Sequence, residues 1–262
     1  MSTTKPPKKL TRTRRRTKMD KILAGEAPIK QKNIRMTRSP GAAPQKKARD
    51  IIVETPKKKK KTGKPQYIVR DEYFYEAKKL GYRARSAFKL LEIQEKYDII
   101  KPGMKVFDIA SAPGSWLQVL SKAVGPTGMV VGVDIQKIAG FGQQNIRVLQ
   151  GDVFVTEPII AFLEKLGIVQ VDCVTSDIAA HTTGQTGVDQ YRSVELNLAI
   201  LDIADIFLKK GGTLVLKVFV GEDVNDLIGP IKDRYTVLHK CKPKAVRERS
   251  FEEYFVCQGK KS

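Results

Sequence analysis

Three times between residues 128 and 177 a short apolar run ends on an aspartate: GMVVGVD (128–134), IRVLQGD (146–152) and VDCVTSD (171–177). A similar run, Met104–Ile109, precedes them after the turn residues Pro102 and Gly103, and TLVLKVF (213–219) follows. These runs are too short for ordinary helices and lack the polar alternation of a half-exposed strand. They suit strands covered on both faces, which is the pattern of a parallel sheet. Helical stretches lie between them. Ala84, Ala87, Phe88 and Leu91 form a helix stripe in residues 84–97, and GSWLQVLSKAVG reads as a helix that stops near Gly125. Val194, Leu198, Leu201, Ala204 and Leu208 mark a long helix over 188–209, with Gly211-Gly212 as its end. The last part differs: YTVLHKC and EEYFVCQ read as two strands joined by the basic connection KPKAVRERS, an antiparallel hairpin closing one edge. The expected architecture is α/β, a doubly wound, mostly parallel seven-stranded sheet with that C-terminal hairpin.

Charge divides the chain in two. Of 48 Lys and Arg and 28 acids, 22 and four fall in residues 1–66, leaving 26 basic against 24 acidic groups in the remainder. All 19 aromatic residues lie from Tyr67 onward. A segment so charged and so poor in apolar bulk cannot offset its conformational entropy by burial, so 1–66 is expected to be a disordered basic tail. Residues 67–262 are expected to be one folded domain. The tail suits attraction to RNA phosphates; Lys57–Lys61 also suits a nuclear signal, and the Arg-rich start an organelle presequence. Cys173, Cys241 and Cys257 are far apart and there are two histidines, which argues against a disulfide framework or a metal site. No apolar run approaches the roughly 20 residues of a membrane span, so no membrane partner is expected. A monomer is expected, and a cytoplasmic location, with a nucleolus or organelle as the alternative.

Doubly wound sheets bind ligands beyond the carboxyl ends of their strands. The first strand runs into DIASAPGSW (108–116), whose small residues let backbone N–H groups approach a ligand at a helix start. Asp134 ends the second strand, where an acid can accept hydrogen bonds from a ribose; Asp152 ends the third, where one can meet an adenine amino group; Asp177 ends the fourth. Any one of these also reads as a solvated turn residue. Three at successive strand ends favour a nucleoside-bearing cofactor. A nicotinamide cofactor would want a loop with three spaced glycines, and only Gly114 is present.

From about Tyr82 to the end, the chain resembles the FtsJ-type ribose 2′-O-methyltransferases, in particular the ribosomal RNA large subunit methyltransferase E group. The resemblance rests on YRARSAFKLLEI, KPGMKVFDIASAPGSWLQ, VLQGDV, SDIAAHTTG, LNLA, GGTLVLKVFVGE and KPKAVRERSFEEYFV, in that order. It departs at Ser115, where the family more often has glycine, and in SDIAAHTTG, where the family commonly has SDMAPN. The resemblance implies a Rossmann-like methyltransferase fold. It also implies S-adenosylmethionine held by Gly114, Trp116, Asp134, Asp152 and Asp177, with ribosomal RNA of the large subunit as substrate, the target ribose being that of a uridine. Transfer to tRNA, or a non-catalytic role in ribosome assembly, are the alternatives.

Four charged groups sit where charge is poorly suited: Lys89 in the first helix, Asp177, Lys217 within TLVLKVF, and Glu252 in the last strand. The resemblance aligns these with the family's Lys-Asp-Lys-Glu tetrad, with Glu253 as the competitor for the last place. A ribose hydroxyl is a poor nucleophile at neutral pH and must be aligned and relieved of its proton. Lys217 is expected to take or steer that proton, assisted by Lys89, with Asp177 and Glu252 orienting. Arg83, Arg85, Lys242, Lys244, Arg247 and Arg249 frame the tetrad in sequence and are expected to hold RNA phosphates.

Overall fold

The structure is a computed structural model that describes residues 72–179 and 182–262. The tail expected over 1–66, and His181, lie outside the described residues.

Elements follow in the order α1 (Glu72–Lys79), α2 (Ala87–Tyr97), β1 (Lys105–Ile109), α3 (Ser115–Val124), β2 (Met129–Asp134), β3 (Ile146–Gln150) and α4 (Thr156–Lys165). Then come β4 (Val171–Ser176), α5 (Thr186–Phe207), β5 (Leu208–Phe219), α6 (Val224–Arg234), β6 (Tyr235–Cys241) and β7 (Glu252–Lys260). The seven strands form one sheet in the order β3-β2-β1-β4-β5-β7-β6. Neighbours from β3 to β5 are parallel, and β7 runs antiparallel between β5 and β6.

The unbroken apolar runs are explained by what covers them. Phe107, Ile109, Val131, Val133, Val174, Leu214 and Leu216 face one core together with α4, α5 and α6. Val106, Val130, Cys173, Val215 and Val256 face a second core with α2 and α3. Both faces of the central strands are dry, so neither alternates with polar residues. Helix α3 buries Trp116, Leu117, Val119, Leu120 and Val124, and Gly125 ends it with a positive φ of 66°.

The first helix stripe begins at Ala87 and leaves Ala84 in the preceding turn, and the end of the long helix also differs from the sequence reading. Helix α5 ends at Phe207, and Gly211-Gly212 lie within β5. Val171 pairs with Leu208 but Cys173 with Thr213, so β5 enters the sheet through an irregularity that Gly211, at φ 77°, allows. A glycine pair that stops a helix and one that shapes a strand entrance look alike in sequence.

The carboxyl end of α5 is closed by a buried lysine. Lys260, 5% exposed, donates from Nζ to Asp205 O at 2.9 Å, Leu208 O at 2.8 Å and Ala204 O at 3.4 Å. Asp205 O is among the last helix carbonyls that lack an intrahelical partner, Ala204 O also accepts from Leu208 N, and Leu208 is the first residue beyond the helix. Lys260→Met keeps the stem and removes the donors. It is expected to cost about 2–3 kcal/mol, as buried acceptors left unpaired do, seen as a lower denaturation midpoint with an unchanged slope.

Candidate active site

The strand order reverses at β1, which has β2 on one side and β4 on the other. A cavity of about 750 Å³ opens there, within the usual range for small-molecule sites. It is walled by the segments that leave β1, β2, β3 and β4 at their carboxyl ends, including Ala112, Asp134, Asp152 and Asp177. Ile135 and Phe154, 68% and 46% exposed, offer apolar surface in the same wall.

Asp134 is nearly buried and ties two loops together. Its Oδ2 accepts from Ala112 N at 2.8 Å and its Oδ1 from Gln136 N at 2.7 Å. Asp152 accepts from Phe154 N at 2.9 Å. Gly114 lies in the loop that carries Ala112, and Trp116 lines a small adjoining pocket with Ala112 and Asp177. Gly114 begins α3 at φ 104°, a conformation L side chains rarely adopt. Trp116 is buried; its Nε1 donates to Ser86 O at 2.9 Å, and its ring lies 5.8 Å from that of Tyr254. Ser115 is buried too, its hydroxyl 2.8 Å from that of Ser86.

Asp177 also belongs to a second group. Lys217 Nζ lies 3.1 Å from Asp177 Oδ1 and donates to Asp177 O at 2.5 Å. Lys89 Nζ lies 2.5 Å from Glu252 Oε1. Between the two pairs stands Tyr254, whose hydroxyl is 2.7 Å from Asp177 Oδ1 and 2.8 Å from Glu252 Oε1. The result is a continuous chain, Lys89–Glu252–Tyr254–Asp177–Lys217. Burial and the two carboxylates push the Tyr254 hydroxyl well above its ordinary range, so it keeps its proton at neutral pH. One proton can serve one carboxylate at a time.

Strand register explains the grouping. Lys217 is the cross-strand partner of Tyr254, and Phe219 that of Glu252. Side chains two apart on a strand share a face, so Glu252 and Tyr254 point the same way and Glu253, paired with Val218, points the other. Tyr254 was not legible as a site residue, because an aromatic in a buried strand reads as core.

Residues 82–260 match the FtsJ-like methyltransferase family. A ribosomal RNA large subunit methyltransferase E from Nitratidesulfovibrio vulgaris is 42% identical over 191 residues, covering 72% of this chain and 93% of the relative. One of the same name from Acinetobacter baumannii is 43% identical over 191 residues, 73% of this chain and 88% of the relative. A crystal structure described as a ribosomal RNA methyltransferase from Plasmodium falciparum superposes with a TM-score of 0.60 at 28% identity, covering 68% of this chain and 98% of that one. This chain belongs to the FtsJ-like methyltransferase family. Its sheet order and its cavity at the strand reversal are therefore those of a methyltransferase domain.

The expected RNA-facing cations divide in this FtsJ-like domain. Arg83 donates to backbone carbonyls of two neighbouring loops, and Arg85 Nη2 donates to Ala245 O at 2.5 Å. Lys242 Nζ donates to Ser250 O at 2.7 Å, supporting its own connection. Arg247 and Arg249 are exposed beside Glu252 in the chain.

Asp108, the last but one residue of β1, went unremarked in the sequence. It is 1% exposed; its Oδ1 accepts from Thr175 Oγ1 at 2.6 Å and its Oδ2 has no partner. Burial, opposed in part by the Thr175 bond, pushes its carboxyl up to about 7. The folded state therefore holds this proton more tightly than the unfolded chain, and stability falls as pH rises from about 4 to about 7. Asp108→Asn removes that loss. Its stability relative to the parent is expected to grow over this window and then level off, measured by denaturant melts at several pH values; a constant difference would refute the assignment.

Proposed function

We propose that the chain transfers a methyl group from S-adenosylmethionine to a ribose 2′-hydroxyl of large-subunit ribosomal RNA. The observation that carries this reading is that Asp177 belongs at once to the cavity wall and to the lysine–acid chain. A donor in the cavity and a nucleophile on the lysines would meet at that residue. The relatives named as ribosomal RNA large subunit methyltransferases support the substrate.

The cavity's residues fit the donor. Ile135 and Phe154 offer flat apolar contact for an adenine, with Asp152 beside them for its amino group. Asp134 has one backbone N–H on each oxygen, and a carboxylate's remaining lone pairs can take ribose hydroxyls. The bound donor supplies a methyl on a sulfonium, with a neutral thioether as leaving group. The protein's task is to align the acceptor and manage one proton. As the O–C bond forms, the ribose hydroxyl gives up its proton, which Lys217 takes or steers. Asp177 fixes Lys217, Glu252 fixes Lys89, and Tyr254 holds the two acids at one spacing.

The test uses labelled S-adenosylmethionine with unmodified large subunits, free ribosomal RNA and bulk tRNA. Alkali-stable label at one ribose of the subunits is expected. Lys217→Ala should lower turnover by about 100-fold or more, the usual worth of a proton-handling group, with donor affinity retained. Near-normal turnover in the folded variant would overturn the role of Lys217, and label in tRNA alone would move the substrate. Tyr254→Phe leaves both acids without their shared donor and should slow turnover by about tenfold, with little change in donor affinity; an unchanged rate would remove Tyr254 from the site.

A further inference from the structure

Two loops make one side of the cavity. The first, 110–114, leaves β1 and contributes Ala112; the second, 135–141, leaves β2 and contributes Ile135 and Gln136. Asp134 joins them at their inner end, as described above. At their outer end they are joined by Arg83. Its Nη1 donates to Pro113 O at 3.0 Å on the first loop and to Ala139 O at 2.8 Å on the second, and its Nη2 donates to Gly140 O at 2.5 Å. The guanidinium also lies 3.6 Å from the centre of the Phe141 ring. The backbone beneath is fixed as well: Arg83 N donates to Gln118 Oε1 at 2.9 Å, and Gln118 Nε2 returns to Gly81 O at 2.9 Å.

The fit is close. A Cβ at Gly114 would stand 2.4 Å from Phe141 Cζ and 3.0 Å from Arg83 Nη1. Phe141 and the guanidinium therefore lie directly over the glycine, and a side chain there would push them off. A planar fork that reaches three carbonyls on two loops while stacking on a ring is work a lysine's point charge cannot reproduce. A guanidinium committed in this way is poorly placed to meet a phosphate.

We propose that Arg83 and Phe141 form a latch that sets the spacing of these two loops, making Arg83 a positioning residue for the methyl donor rather than an RNA contact. The inference rests on the reading of the cavity as the donor site. With the latch open, Asp134 would still join the two loops at their inner end but nothing described would join them at the outer end, and the wall that carries Ala112, Ile135 and Gln136 would have to be ordered again at each binding event. That ordering is charged to donor affinity and not to the chemical step, once the site is filled.

The experiment measures S-adenosylmethionine affinity by equilibrium titration, and KM and kcat by label transfer, for the parent, Arg83→Ala, Arg83→Lys and Phe141→Ala. Melting curves confirm folding. Arg83→Ala is expected to weaken the donor about tenfold or more, with Arg83→Lys and Phe141→Ala smaller losses of the same kind. The donor KM should rise while kcat at saturating donor stays within about twofold, and affinity for ribosomal RNA should stay near that of the parent. If Arg83→Ala does not fold, Arg83→Lys and Phe141→Ala carry the same expectation. Unchanged donor affinity in the folded variants overturns the latch, and weakened RNA binding beside it returns Arg83 to phosphate contact. Failure of the parent itself to bind S-adenosylmethionine would instead overturn the cavity reading beneath the proposal.

Discussion

The reversed direction of β7 is the constraint on which the site depends. Strands β1 to β5 all bring their carboxyl ends to one edge of the sheet, where loops 110–114, 135–141 and 177–179 gather. A further parallel strand would also bring only its last residues there. Because β7 is antiparallel to β5, it brings its first residues instead, and Glu252 and Tyr254 land opposite Phe219 and Lys217. The pairing therefore joins a residue near the end of the chain to Lys89 near the start of the described residues. It also sets Lys217, 7% exposed, opposite Tyr254 in the sheet, with its carbonyl accepting from Asn197 Nδ2 at 2.9 Å. A lysine placed in this way has little freedom except at its tip.

Helix α2 is the second support, and it serves both sides of the reaction. Its Glu92 accepts from Lys244 N at 2.6 Å and Ala245 N at 2.9 Å, which ties the helix to the basic connection before β7. Its start is tied to the beginning of α3, just after loop 110–114, through the Ser86–Ser115 hydroxyl pair and the Trp116 indole. Lys89, one turn further on, is thus positioned from two directions. Ser115, where the family more often has glycine, is part of this contact and does not intrude on the cavity.

The parts of the fold that could be read from sequence are those with a one-dimensional signature. Strands covered on both faces announce themselves as apolar runs, and α2, α3 and α5 as stripes. Helices α1, α4 and α6 were not read. Among them α4 buries only Thr156, Ile159 and Leu163, and α6 only Leu227, Ile228 and Ile231, so their stripes are thin. The acids of the site were legible because charge at the end of an apolar strand is conspicuous. Spacing after RERS already favours Glu252 over Glu253, and strand register supplies the physical reason, since Glu253 pairs with Val218 and points the other way.

What sequence reading could not separate was a residue that touches a ligand from one that builds the place for it. The resemblance assigns Gly114 and Trp116 to the cofactor, and Arg83 is expected at RNA because it flanks the tetrad in sequence. In the structure each has a part in building the loops: a backbone at positive φ, an indole bonded to a helix start, and a guanidinium on the carbonyls of two loops. Tyr254 and Asp108 are the converse, polar groups hidden in runs that read as core. Both cases have the same cause. A side chain's chemistry is visible in one dimension, but whether its hydrogen bonds are already satisfied by the protein is a property of the folded neighbourhood, and that decides what remains available to a ligand.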